Sequence, residues 1–378
     1  MSDVYQESVE LHLKNRGKLA IVSKVPLNDK NDLALAYTPG VSEICRIIAK
    51  DKSLAFTHTM KGNMVAVISD GSAILGLGNL GPEAALPVME GKCILFKEFA
   101  GVDAFPICLD TQDEEEIIKT VKYLAPVFGG INLEDISAPR CFNIEARLKA
   151  ELNIPVMHDD QHGTATVVLA GLINALKVKG LAKEEANLVV NGAGAAGLAI
   201  TSLLLGYGFK NIIVCDSQGA IYAGREGLNS EKARIASLTN LNCLRGALIE
   251  ILPGVDIFIG VSVANALSIE MLALMNKEPI IFALANPVPE IMPDVAKAAG
   301  ALVVATGRSD FPNQINNVLV FPGVFRGALD HHVTQITDVM LVRAAESLAK
   351  LVSNPAADLI LPNPFDKEVA KVVAAAIY

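Results

Sequence analysis

Two acidic pairs, Glu134-Asp135 and Asp159-Asp160, close short apolar runs at Gly130–Leu133 and Ile154–Met157. A strand end aims such carboxylates into a cleft. Three of them converging would make a hard, all-oxygen site for Mg2+ or Mn2+. An acidic pair alone is more often solvated surface charge. Here both pairs sit among apolar, glycine and amide residues, and His158 and Gln161-His162-Gly163-Thr164 flank the second. His158 and His162 are four apart, as in zinc-binding helices, but position 159 is not Glu and no third ligand follows. Lys92 and Lys97 lie in the apolar stretch Glu90–Lys97. A lysine there either serves as a base with a lowered pKa or extends its ammonium to solvent. Tyr37, just ahead of Pro39-Gly40, is a candidate proton donor or a structural hydroxyl.

A second constellation is Gly192-Ala193-Gly194-Ala195-Ala196-Gly197, a G-x-G-x-x-G run after the apolar segment Asn187–Val190. The glycines permit a tight turn, backbone approach to a pyrophosphate and close helix–strand packing. The helix that follows offers free N–H groups and a positive dipole end to phosphate. Asp216 closes the next aliphatic run, where an acid would bind ribose hydroxyls. With no cation directly after it, at Ser217-Gln218, the pattern favours NAD over NADP. The bland alternative is a glycine-rich packing turn. A further match, Gly76-Leu77-Gly78-Asn79-Leu80-Gly81, reads as a tight loop, because the helix expected after it, Pro82–Met89, is short and contains Pro87.

These residues need a scaffold. Met64–Ser69 alternates loosely and leads to Asp70-Gly71, a hairpin signal. Ala104–Leu109 reads as a strand and Glu114–Leu124 as a helix. From about residue 163 the texture changes. Thr164–Lys179 is an apolar helix pattern stopped by Gly180. Short strands at Asn187–Val190, Asn211–Asp216, Ile257–Val261, Ile280–Leu284 and Leu302–Thr306 alternate with helices, which predicts a doubly wound parallel sheet. From Gly327 onward the chain reads as helical, with breaks at Asn354-Pro355 and Pro362-Asn363-Pro364.

Composition narrows the functions. With 378 residues and 51% hydrophobic side chains, the chain can bury a large core. A net charge of −9, no Trp and 5% aromatics argue against nucleic acid as a partner. The six cysteines form no C-x-x-C pair and read as mostly buried thiols. The N-terminal residues lack a signal pattern, and the apolar stretch Ala186–Leu205 is interrupted by asparagines and glycines. The expectation is a cytoplasmic protein with no membrane span.

Several motifs together resemble the malic enzymes. They are Tyr37-Thr38-Pro39-Gly40-Val41, Ser69-Asp70-Gly71 leading to Leu75–Pro82, Gly91-Lys92, Glu134-Asp135, His158–Ala165, Asn191–Gly197, Ala285-Asn286-Pro287, and Asn316-Asn317 before Phe321-Pro322-Gly323. They run in family order over most of the chain, and the length is similar to that of the short bacterial form. The resemblance implies an α/β protein. Residues 1–160 would be the substrate and catalytic domain, and 161–378 a Rossmann-type dinucleotide-binding domain with C-terminal helices. Glu134, Asp135 and Asp160 would hold the divalent metal, Lys92 would be the general base with Asp159 beside it, and Tyr37 the general acid. Asn286 and Asn317 would contact the substrate carboxylate, with Asn286 also near the dinucleotide. Gly192–Gly197 and Asp216 would hold NAD, with NADP the alternative.

The implied reaction is oxidative decarboxylation of L-malate to pyruvate and CO2 by a homodimer. The competing readings are a malolactic or oxaloacetate-decarboxylating activity at the same site, and a nucleotide-binding protein without catalysis. There is one departure. Animal-type members carry Arg where Ala73 stands here, which leaves Lys97, Arg308 and Arg326 as substitute partners for a substrate carboxylate.

Overall fold

The structure is a computed structural model that describes residues 4–75 and 77–378. Gly76, the first glycine of the second G-x-G-x-x-G match, lies outside the described residues. The chain opens with helices α1 (Val4–Asn15), α2 (Lys30–Ala36), α3 (Val41–Lys50) and the single turn α4 (Ala55–His58), none with a buried residue. A parallel sheet follows, in the order β2-β1-β3-β4, built from β1 (Met64–Ser69), β2 (Asp103–Cys108), β3 (Gly130–Leu133) and β4 (Val156–His158). Its crossovers are α5 (Pro82–Ala100), α6 (Glu114–Leu124) and α7 (Arg140–Glu151). Every residue of β1 and β3 is buried, as in a parallel sheet covered on both faces, so the loose alternation read at Met64–Ser69 marks no solvent face.

The Asp70-Gly71 hairpin expectation is overturned. Strand β1 pairs in parallel with both neighbours, so the turn begins a crossover. The short helix expected at Pro82–Met89 is also corrected. Helix α5 runs 19 residues, straight through Pro87. An interior proline costs about 3 kcal/mol. The buried stripe Ala85, Met89, Lys92, Cys93 and Phe96 is spaced at three and four, and its burial outweighs that cost.

Helix α8 (Asp159–Lys179) leads into the second sheet. It starts five residues earlier than the pattern from Thr164 indicated, so Asp159-Asp160 forms a helical first turn. Carboxylates there are favoured by the dipole. The second sheet has the order β10-β9-β8-β5-β6-β7, from β5 (Asn187–Asn191), β6 (Asn211–Asp216), β7 (Gly219–Ala220), β8 (Ile257–Gly260), β9 (Ile280–Ala283) and β10 (Val303–Thr306). All pairs are parallel except β6–β7. Strand order reverses about β5, so the crevice between the carboxyl ends of β5 and β8 is the topological switch point. Helix α9 (Ala195–Tyr207) follows the glycine loop and packs along α8. The short helices α10 (Ser230–Leu238), α11 (Leu248–Ile251), α12 (Ile269–Leu272) and α13 (Pro293–Ala298) complete the crossovers.

The C-terminal helices α14 (Phe321–Asp330), α15 (Asp338–Lys350) and α16 (Glu368–Ala374) fold back on the first part of the chain. Phe96 of α5 meets Phe321 and Phe325 of α14 edge to face, at ring separations of 4.7 and 5.5 Å. One apolar core therefore runs from β1 and α5 through α8 to α16. Asn174, buried in α8, donates to the carbonyls of Ala349 and Ile360. Cys93, Cys141 and Cys215 are buried and Cys108 half-buried, but Cys45 and Cys243 are exposed, so the buried-thiol expectation covers only part of the set. No helix among the described residues is long and apolar enough to cross a membrane.

Phe96→Ala removes a fully buried ring that joins α5 to α14. It should cost about 3–5 kcal/mol, seen as a lower urea midpoint; an unchanged midpoint would refute the packing role.

Candidate active site

The carboxyl ends of β3 and β4 lie side by side, so the residues just beyond them meet. Glu134 follows β3 and Asp159 follows β4. Glu134, Asp135 and Asp160 bring one carboxylate oxygen each within 4.8 Å of one another. Asp135 adopts a left-handed backbone (φ 53°), which Asp tolerates better than most residues. Its N–H donates to Asp160 Oδ2 at 2.8 Å, and its own Oδ2 is buried with no hydrogen-bond partner among the described residues. Burial, then the neighbouring Asp160, push the Asp135 carboxyl up to about 7. Burial pushes Glu134 well above the usual carboxylate range, although Lys92 opposes this. Crowded buried carboxylates with an orphan oxygen are the donor set that a hard divalent cation satisfies.

Lys92, on α5, is buried within this cluster. Its Nζ lies 2.6 Å from Asp159 Oδ2 and 2.9 Å from Glu134 Oε1, and 4.3 Å above the Phe321 ring. Burial alone would lower its pKa. Asp159 and Glu134 outweigh burial and hold the ammonium above its ordinary value. Asp159 is fully buried, and Asn317 also donates to its Oδ2, at 2.5 Å. A Cβ at Gly163 would stand 1.9 Å from Asp159 Oδ1, so only glycine leaves room for this carboxylate. Lys97 separates from Lys92 completely: it is exposed and paired with Asp103 at 2.7 Å. Arg308 and Arg326 are paired with Asp310 and Asp330, so none of the three substitutes for the missing arginine joins the cluster.

A second layer was not found by reading the sequence. Glu145 of α7 is buried and accepts from the His158 N–H (3.0 Å) and from Gln161 (3.2 Å). It also pairs with His162 (3.0 Å) and Lys149 (2.8 Å). Burial would raise its pKa, but His162 and Lys149 hold it below the usual range. Glu145 thus staples the start of α8, and it turns His162 away from any zinc-type pairing with His158. Asn132 donates to Glu134 Oε2 at 2.9 Å. Neither residue belongs to a spacing motif; only the (i, i+4) pair of Glu145 with Lys149 was visible.

The glycine loop sits at the switch point. A Cβ at Gly197 would lie 1.8 Å from the Gly192 carbonyl oxygen, whereas at Gly194 nothing stands within 4 Å. The loop therefore packs tightly at one glycine and stays open at the other. Among the described residues no side chain caps the start of α9, so its first N–H groups have no side-chain acceptor. Both features suit a bound pyrophosphate. Ala195 packs against the core of the first sheet, which puts the loop beside the carboxylate cluster.

Asp216 closes β6 as expected, but it is not a free acceptor. It is ion-paired with Arg225, whose Nη1 lies 2.9 Å from Oδ1, and with Lys232 at 2.7 Å. Burial is outweighed by these two, which lower Asp216 to about 2. No cation stands directly after Asp216, as read, but two reach it from nine and sixteen residues downstream, beyond the reach of a local motif. Asn286 is exposed in the loop after β9, against Gly307. Tyr37 is 64% exposed, and no hydrogen bond or ring contact among the described residues joins it to the cluster.

A dinucleotide-type loop beside a buried lysine–carboxylate cluster places the molecule among the dinucleotide-dependent oxidoreductases. Comparison with known proteins makes this specific. Residues 16–115 and 111–149 match the malic enzyme N-terminal domain, and residues 161–378 match the malic enzyme NAD binding domain. A bifunctional malic/malolactic enzyme of Bacillus subtilis is 58% identical, over 98% of this chain and 92% of its own. An NAD-dependent malic enzyme of Geobacillus stearothermophilus is 53% identical, over 96% and 76%. The crystal structure of an NAD-dependent malic enzyme from Thermotoga maritima superposes with a TM-score of 0.94 at 50% identity, over 98% of both chains. The chain belongs to the malic enzyme family.

The raised carboxyls give a pH signature. A carboxyl near 7 when folded and near about 4 when unfolded binds more protons folded. Its stabilising effect is complete below pH ~4 and is lost as pH rises through about 7. Mn2+ should therefore raise Tm, and by more at pH 8 than at pH 5.5. No Mn2+-dependent shift at either pH would refute a cation site here.

Proposed function

We propose that this chain catalyses oxidative decarboxylation of L-malate to pyruvate and CO2, reducing NAD and using Mg2+ or Mn2+. The observation that carries the proposal is the burial of Lys92 between Asp159 and Glu134, beside two further carboxylates. Glu134, Asp135 and Asp160 would hold the cation, and Gly192, Ala193, Gly194, Ala195, Ala196 and Gly197 would cradle the dinucleotide. Residues 1–160 would form the substrate unit and 161–378 the dinucleotide unit.

When bound, the cation supplies Lewis acidity at the substrate oxygens and an alternative partner for the carboxylates, and the dinucleotide supplies a hydride acceptor. With part of its carboxylate field taken up by the cation, Lys92 would release its proton to solvent and, as the neutral amine, take the proton of the C2 hydroxyl at Nζ. Asp159, fixed by Asn317 and by the space at Gly163, holds Lys92 in position. As CO2 departs, Lys92 returns its proton to the C2 oxygen, and the resulting enol becomes pyruvate when Tyr37 delivers a proton to C3 while Lys92 takes the O–H proton back. Asn286 and Asn317 orient the substrate carboxylate, Asn317 by exchanging its donor between Asp159 and substrate. Phe321 and the surrounding core keep water from the Lys92 face. We further infer a homodimer that works in the cytoplasm.

The likeness to a bifunctional malic/malolactic enzyme supports a second reading, conversion of malate to lactate without net NADH. Spectrophotometric assay of L-malate with NAD, with and without Mn2+, separates the two: Mn2+-dependent NADH accumulation is expected, and its absence would refute the first reading. Lys92→Ala should lower turnover by about 10²–10⁴-fold while leaving NAD affinity intact; normal turnover would remove Lys92 from the chemistry. NAD preference rests on the acid at the end of β6. Its check is kcat/KM for NAD against NADP, with NAD expected to be higher. A higher value for NADP would mean that Arg225 and Lys232 serve a 2′-phosphate.

A further inference from the structure

We propose that His158 is a positioning residue for the cation. Its imidazole N–H docks on Asp160 when the ion is bound, and that contact sets how tightly the ion is held. The inference rests on the cation site proposed above.

His158 is the last residue of β4 and is fully buried. Its backbone N–H is used, donating to Glu145 Oε1. Its ring is not. Among the described residues neither Nδ1 nor Nε2 has a hydrogen-bond partner, and the side chain does not cap α8. Nor does it stand as a ligand: among the described residues, the side chains close enough to share one ion are Glu134, Asp135 and Asp160.

A buried imidazole without a partner is unfavourable for folding, because it gives up water and gains no bond in return. The two residues before it, Val156 and Met157, are buried and apolar, and an apolar side chain of similar volume would serve packing better. The unmet demand is also concentrated here. Of nine buried side-chain polar atoms without a hydrogen-bond partner among the described residues, five belong to Asn132, Asp135, His158 and Asp159. Orphaned polar groups are rare in native structures, and a cluster of them marks a place that something else completes.

The acceptor that His158 lacks stands nearby. Nε2 lies 3.8 Å from Asp160 Oδ2, about 1 Å beyond a hydrogen bond. Asp160 is the one member of the trio that is not buried, so its carboxylate has room to turn. His158 is held by the register of β4 on β3, opposite Leu133. Asp160 Oδ2 already takes the Asp135 N–H at 2.8 Å, and a second donor on the same oxygen fixes the direction of the carboxylate. Ligating carboxylates are held in this way, and loss of the outer donor weakens metal binding. Imidazole also suits the charge. In its neutral form it offers one N–H without placing a second positive charge beside the ion, as an ammonium would.

Mn2+ affinity and the melting of metal-stripped protein separate this role from packing. The protein is stripped with EDTA, and the Kd for Mn2+ is read from the EPR signal of the free ion. His158→Phe keeps the bulk and removes the donor. It should raise the Kd by about 10–100-fold, leave NAD affinity unchanged, and melt no lower than wild type in the absence of metal. His158→Gln returns an N–H at similar reach and should recover most of the affinity. His158→Leu gives the same reading as His158→Phe if the larger ring disrupts folding. An unchanged Kd on loss of the donor would overturn the inference, and so would equally weak binding by His158→Gln. Wild-type protein that binds no Mn2+ would instead overturn the cation site itself, and the inference with it.

Discussion

The organising constraint is a charge imbalance in a dry place. One ammonium, Lys92, is enclosed with Glu134, Asp135 and Asp159, with the half-buried Asp160 beside them, and it cannot balance all four. Taking carboxylates out of water is expensive unless each finds a partner. The fold meets part of that demand with amide donors: Asn132 to Glu134, Asn317 to Asp159 and the Asp135 N–H to Asp160. The proposed cation would meet the remainder. The cluster is thus held in a state that is unfavourable by itself, and rigid packing prevents its relaxing. Phe96, Phe321 and Phe325 fix α5, and Glu145 fixes the first turn of α8.

That constraint explains the division of labour between elements. The carboxylates come from the carboxyl ends of adjacent parallel strands, where successive backbones diverge and leave a crevice. The lysine comes from a helix, where a stripe of buried neighbours can carry a long side chain inward. The dinucleotide loop depends on a different property, the absence of Cβ atoms at Gly192 and Gly197, and needs no charge. Two chemically unlike sites can therefore sit side by side without competing for the same residues.

Much of this was legible in the chain. The aliphatic strands, the glycine loop and both acidic pairs are local patterns, and their order resembles that of the malic enzymes. What could not be read was set by tertiary contact. Helix α5 survives Pro87 because its inward face is buried, a fact that no local propensity contains. Glu145 has ordinary neighbours and acts only because α7 lies across the start of α8. The cations on Asp216 arrive from residues 225 and 232, so a test of the two residues after the acid missed them. Tyr37 was visible as a motif, but its exposed position could be known only from the folded chain.

Helix α8 has a mechanical meaning. It begins with Asp159-Asp160 in the carboxylate cluster, runs unbroken for 21 residues, and lies along α9, whose first turn is the glycine loop. The two sites are therefore mounted on one strut and its brace. Any opening or closing of the cleft has to pivot elsewhere, because a bend between residues 159 and 179 would break a buried helix. The Asp159-Asp160 turn and the glycine loop are accordingly held at a separation set by the packing of α8 against α9.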